Sequence, residues 1–142
     1  MREILFKGKR IDNGEWVEGC YAECNGKTFI GIDISIGIDD IFEVFCTPVI
    51  RWLEVDPETL CQFTGETDKN GKRIWESDVV WLVYDGKEHI YQIVWDNSEL
   101  DFKATNGEEN YGSNFEYLLC CDEIEVIGNI FDNPELLQEK HK

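Results

Sequence analysis

One stretch of the chain, Asp68-Lys69-Asn70-Gly71-Lys72-Arg73-Ile74-Trp75-Glu76-Ser77-Asp78, brings oxygen donors, cations and an indole together. Asp68-x-Asn70-x-Lys72 begins like a calcium loop, which needs an oxygen ligand at its fifth position and a glutamate at its twelfth. Here the fifth position is Lys72 and the twelfth is Val79. The expectation is therefore a hairpin turn in which Asp68 and Asn70 bond their own backbone. Glu76 and Asp78 are spaced like two carboxylates on one strand face, an arrangement that can hold a metal or share a proton. Nothing supplies a partner: the histidines are His89 and His141, and GxSxG, P-loop and GxGxxG motifs are absent. The acids are expected to stay solvated or to bond backbone amides. Catalytic, cofactor-binding and metal-binding residues are accordingly assigned to none, and the chain is expected not to be an enzyme.

The basic side of the same stretch remains. Lys69, Asn70, Lys72, Arg73 and Trp75 lie on a hairpin tip that should project, and they are the candidate contact residues. Trp75 beside Lys72 and Arg73 could also stack single-stranded bases. That gives the alternative, a nucleic-acid-binding module using the Lys69–Trp75 hairpin. The simpler role for Trp75, and for Trp16, Trp52, Trp81 and Trp95, is core packing.

The six cysteines are Cys20, Cys24, Cys46, Cys61, Cys120 and Cys121. Cys20 and Cys24 sit in WVEGCYAEC, which alternates like a strand. Four strand residues span about 13 Å, too far for two ligands of one zinc. Cys120 and Cys121 are adjacent and point to opposite faces if extended. Free thiols packing as small apolar groups are expected.

A formal net charge of −17 over 142 residues argues against non-specific nucleic-acid binding and against docking on anionic lipid. Its ordinary meaning is solubility, and its sharper one an acidic surface for a basic partner. The distribution is uneven. Arg2, Lys7, Lys9, Arg10, Lys69, Lys72 and Arg73 are seven of thirteen basic residues, whereas Glu88 to Glu135 holds twelve acids against the single base Lys103. Separated poles favour a homo-oligomer built head to face. The start, MREILFKGKR, lacks the apolar segment of a signal peptide. No apolar run approaches the roughly 18 residues of a membrane span, so the cytoplasm is the expected location.

The elements that must position these residues are strands. The chain reads as a single domain, 1–142, with an N-terminal β region over 1–57 and a C-terminal unit over 58–142 that meet at the turn Asp56-Pro57-Glu58-Thr59. In the first region, Glu3–Lys7 and Glu15–Glu23 are strands around Asp12-Asn13-Gly14. Asn25-Gly26 leads to a third strand over Thr28–Ile34. Ile30, Ile32, Ile34, Ile36 and Ile38 alternate with polar residues or glycine, which is strand periodicity. Ile41–Cys46 is a further strand, and Val49–Val55 another. In the second region LCQF precedes the turn at Asn70-Gly71. VVWLVY after Asp78 is the most strand-like hexamer. Asp85-Gly86 then closes a two-residue hairpin that sets Trp81 opposite Ile90 and Leu82 opposite His89. Both faces of that hairpin are partly apolar, which points to a curved sheet rolled into a small barrel. Leu100–Ala104 is a short strand, Asn106–Asn114 a loop, and Phe115–Leu119 either helical or extended. Glu123–Ile127 turns Ile124 and Val126 inward. Asn133-Pro134-Glu135 predicts a short C-terminal helix over Pro134–Glu139.

Three stretches resemble the YopX family, small proteins of bacterial phages and prophages. The family's central pattern, TG-x-x-D-K-N-G-K-x-I-[YW]-E-G-D-I-V, is met by Thr64-Gly65, Asp68 to Lys72, Ile74-Trp75-Glu76 and Asp78-Val79-Val80, with Ser77 in place of glycine. The opening is similar in Arg2-Glu3-Ile4, Phe6 to Arg10 and Asn13-Gly14-Glu15-Trp16-Val17, with Lys7 for the usual arginine. The ending is similar from Val126 to Leu137. Ile32–Phe45 matches nothing in the pattern. The resemblance implies a mainly β protein with a small SH3-like barrel in the C-terminal half, and no assigned reaction. The combined expectation is a phage-derived, non-enzymatic interaction module in the cytoplasm of a bacterial host. It should self-associate and contact a host or phage protein, without nucleic acid or membrane.

Overall fold

The computed structural model describes residues 3–33, 50–106, 115–118 and 121–138. Over them the protein is mainly β, with a short helix near the C-terminal end, as the sequence predicts. The chain forms two compact units, Met1–Gln62 and Phe63–Lys142.

The first unit holds β1 (Phe6–Lys9), β2 (Trp16–Cys24), β3 (Lys27–Asp33), β4 (Ile50–Val55), a 3-10 turn (Pro57–Thr59) and the start of β5 (Cys61–Thr67). Its antiparallel strands run in the order β4-β3-β2-β1-β5. Asn25 and Gly26 join β2 to β3 with φ of 54° and 77°, the left-handed pair that a tight hairpin requires. Asp56 accepts a hydrogen bond from Glu58 N at 3.0 Å, and Pro57 opens the 3-10 turn. The sheet also returns on itself. Arg10, just past β1, bridges Val55 at the end of β4; Asp56 N donates to Lys9 O at 2.8 Å and Ile11 N to Glu54 O at 3.1 Å. Gly8 permits this, because a Cβ there would lie 2.9 Å from the fully buried Val55 side chain. The expected strand Ile41–Cys46 and the isoleucines Ile34, Ile36 and Ile38 lie outside the described residues.

In the second unit β5 pairs with β6 (Arg73–Trp75). β7 (Asp78–Tyr84), β8 (Lys87–Asp96), β9 (Asp101–Thr105), β10 (Phe115–Tyr117) and β11 (Glu123–Asn129) form a sheet in the order β10-β9-β8-β7-β11. Among the described residues, β10 and β11 do not pair with each other. Asp85 and Gly86 take φ of 50° and 76°. Trp81 then faces Ile90 and Leu82 faces His89, the register that this turn dictates. Ile74, Val80, Leu82, Tyr91, Ile93, Phe102 and Ala104 make the core, with Ile124 and Val126 packed against it. The fully buried valine, leucine and isoleucines each contribute about 1.5–3 kcal/mol by leaving water. Val79, on the opposite face of β7, is also fully buried.

The helix α1 spans Glu135–Gln138; it starts one residue after the predicted Pro134, and Glu139 lies outside the described residues. Asn133 O accepts from Leu136 N at 3.2 Å. The Asn133 side chain does not cap the helix but turns back to Asn129 N at 3.3 Å. Asn129 Oδ1 meanwhile accepts from Phe131 N and Asp132 N. The tight turn after β11 therefore claims the side chain that the helix would have used.

The corner between β6 and β7 carries backbone strain. Ser77 has φ of 74°; its N donates to Ile93 O at 2.8 Å and its O accepts from Ile130 N at 3.0 Å. Left-handed geometry costs a non-glycine residue about 1–2 kcal/mol, and glycine's extra unfolded-state freedom returns roughly 0.5–1 kcal/mol of that. Ser77→Gly should therefore stabilise the protein by about 0.5–1 kcal/mol and raise Tm by a few degrees. A thermal melt in which this variant unfolds below the wild type would contradict the strain argument.

Candidate functional site

The hairpin tip between β5 and β6 is organised by one carboxylate. Asp68 is buried, with 7% exposure. Its Oδ1 accepts from Asn70 N and Lys72 N, both at 2.9 Å, and its Oδ2 from Val126 N at 3.0 Å. Burial pushes the Asp68 carboxyl up, but these three amides, with the charge of Lys72, outweigh it and hold the group below its usual range. The backbone adds Asp68 N to Lys72 O at 2.7 Å, Gly71 N to Asp68 O at 2.9 Å and Lys69 N to Ile124 O at 3.0 Å. The turn expected at Asn70-Gly71 is present, and it is fastened to β11.

Asp78, in the same stretch, is also engaged in structure: it is buried, and its Oδ2 accepts from Trp75 N at 2.8 Å. Glu76 and Asp78 do not share a strand face: β6 ends at Trp75, β7 begins at Asp78, and the left-handed Ser77 lies between. His89 stacks on Tyr91 with ring centroids 4.8 Å apart. Cys20, Cys24, Cys61 and Cys121 are free thiols. Among the described residues no group of three or more His, Cys, Asp or Glu side chains is placed to hold a metal ion.

The five predicted contact residues divide. Lys69, Asn70, Lys72 and Arg73 are exposed together on the tip. Lys69 Nζ lies 3.3 Å from Glu125 Oε1 and 5.0 Å from the centre of the Trp81 ring. The Arg73 guanidinium sits 5.5 Å from the Phe63 ring centre. Trp75 is only 4% exposed and packs on Phe63 at 5.5 Å. The structure thus places Trp75 in the interior beneath the tip, with its ring covered. Core packing, the simpler role the sequence offers for Trp75, is the one it takes: Arg73 and Trp75 share a face of β6 and both meet Phe63, but Trp75 alone is covered.

For a second organised loop the sequence predicts only a turn. Between β8 and β9, Asp96 Oδ1 accepts from Ser98 N at 2.8 Å, Ser98 Oγ at 2.7 Å and Glu99 N at 3.3 Å. Its Oδ2 forms an ion pair with Lys103 Nζ, whose side chain is nearly fully buried. Lys103, then Ser98, hold the Asp96 carboxyl far below the usual range. Trp95 Nε1 donates to Asn97 Oδ1 at 2.6 Å. Leu100 closes the loop, its N donating to Asp96 O at 2.8 Å, with φ of 56° and 75% of its surface exposed. Left-handed leucine costs about 1–2 kcal/mol, and this one regains little by burial. Asp96-Asn97-Ser98 is a visible turn signal; the conformation of Leu100 left no trace in the sequence.

The family model described as YopX protein matches residues 6–138. A search of curated proteins finds no match. Among solved structures, the crystal structure of protein EF1440 from Enterococcus faecalis is similar in fold, with a TM-score of 0.54 and 22% identity over 96% of this chain and 99% of that one.

Asp68→Asn should cost roughly 2–3 kcal/mol, because its NH2 group must face either Val126 N–H or the two tip amides, donor against donor. The pH dependence follows in sign. A depressed carboxyl contributes fully above its unfolded value, about 3.9, and loses that contribution as pH falls through the lower folded value. Urea unfolding across this range should show the gap between wild type and Asp68→Asn narrowing below about pH 4. A gap independent of pH would remove the charged carboxylate from the account.

Proposed function

Since the chain belongs to the YopX family, we propose that it acts by contact and carries out no reaction: a phage-derived interaction module that self-associates. The observation that supports this is the hairpin tip. Lys69, Asn70, Lys72 and Arg73 stand exposed on a backbone that the buried Asp68 fixes at three points. A fixed backbone lowers the entropy lost on docking. The surrounding charge is acidic, with twelve acids and one base between Glu88 and Glu135, so a basic tip finds its complement on a second copy of the same chain. A host or phage protein with an acidic surface is a further partner of the same chemistry. An SH3-like barrel, as the resemblance implies, belongs to this proposal. The sheet β10-β9-β8-β7-β11, with Val79 and Val80 buried on opposite faces of β7, supports one in the C-terminal half. The setting proposed is a bacterial cytoplasm, and no helix among the described residues is long and apolar enough to cross a membrane.

The contact reading differs from nucleic-acid binding in what the tip offers. With the Trp75 ring covered, the tip supplies cations without a stacking platform. Sedimentation velocity of the full chain should show association at low salt that weakens as salt rises and is reduced by Arg73→Glu. A monomer at every concentration and salt would refute self-association. Binding of short single-stranded oligonucleotides at low salt, abolished by Arg73→Glu, would instead favour the nucleic-acid module.

A further inference from the structure

The acidic counterpart of the tip can be placed. We propose that on a second copy the Lys69–Arg73 tip binds the loop from Trp95 to Asp101, with Leu100 as the apolar anchor; this rests on the contact reading above. Charged rim pairs alone give weak interfaces, and affinity needs a desolvated apolar group at the centre. The second unit offers such a group at this loop. Leu100 is 75% exposed and Trp95 40% exposed, and the exposed acids Glu99 and Asp101 flank Leu100.

Charge complementarity selects the occupant. Lys103, the one base between Glu88 and Glu135, is buried against Asp96. The loop therefore presents acids and apolar surface with no cation of its own strand to offset them. The Lys69–Arg73 tip has the opposite character: exposed cations, with the Lys69 ammonium over Trp81 and beside Glu125 and the Arg73 guanidinium over Phe63. A leucine between two carboxylates fits against lysine and arginine stems, with their heads meeting the acids.

The two halves cannot meet within one unit. The tip is tied to β11 at Ile124 and Val126. Ile124 pairs with Leu82, and Leu82 with His89, whereas the loop follows Trp95 at the far end of β8. That register separates them by on the order of 20 Å along the sheet. Each copy thus carries both halves of a contact that only another copy can complete.

The experiment is sedimentation velocity at low salt on the full chain and four variants: Lys72→Glu, Glu99→Lys, Leu100→Gly, and Lys72→Glu with Glu99→Lys together. Each single change should weaken association about tenfold or more, and the double reversal should recover most of that loss. Leu100→Gly relaxes the left-handed backbone, so it should melt no lower than the wild type while associating less. This separates loss of contact from loss of fold. If wild type associates and Lys72→Glu weakens it, but Glu99→Lys and Leu100→Gly leave it unchanged, the loop is not the counterpart and the tip reading stands. A wild-type monomer throughout would overturn both.

Discussion

A buried carboxylate must be satisfied by hydrogen bonds or it will not stay charged. The second unit is arranged around that constraint at Asp68. Its two oxygens take three backbone amides, two from the tip and one from β11, at 2.9 to 3.0 Å. Hydrogen bonds to a charged acceptor are worth about 1.5–3 kcal/mol each, enough together to offset a desolvation of several kcal/mol. The same carboxylate therefore shapes the turn and fastens it to a strand distant in sequence. It also covers part of β11, an outer strand of the five-stranded sheet. Exposed strand edges invite unwanted pairing, and here Lys69 N takes the Ile124 carbonyl while Asp68 takes the Val126 amide.

The far end of the same stretch is sewn in similarly. Asp78 holds Trp75 N, and Ser77 bonds Ile93 on one side and Ile130 on the other. The central pattern and the chain's ending, which both resemble the YopX family, are thus parts of one structure. Asp68 with Val126, Lys69 with Ile124 and Ser77 with Ile130 each cross between them. A change in either would be felt in the other, which gives a physical reason for the two to occur together. It also occupies two acids of the stretch, since Asp68 and Asp78 both accept from backbone amides.

What could be read from the sequence was local. Asp85-Gly86 fixes a two-residue turn, and that turn alone sets Trp81 against Ile90. Alternation placed Ile124 and Val126 on the core, and Asp56-Pro57 marked a turn that is present. Non-local features were not readable. The Arg10–Val55 bridge joins residues far apart in sequence and depends on the missing side chain of Gly8. Of the candidate site, the exposed tip of Lys69, Asn70, Lys72 and Arg73 followed from turn chemistry. The burial of Trp75 depended on Phe63 across the hairpin. Leu100 could not be found, since leucine in a left-handed conformation goes against its own propensity.

The charge of the chain acquires a different meaning once side chains are placed. A net −17 has solubility as its ordinary meaning. In the structure, the one base amid the C-terminal acids is withdrawn into an ion pair beneath a loop, while three bases are held outward on a turn fixed from below. Solubility needs neither arrangement, since mobile surface lysines would serve it equally well. Holding a cation cluster on a rigid backbone fastens β11 and, in the contact proposed above, would also lower the cost of docking. The exposed Leu100 holds a conformation that leucine resists. Both features lie in the second unit, and the contact proposed above would use both.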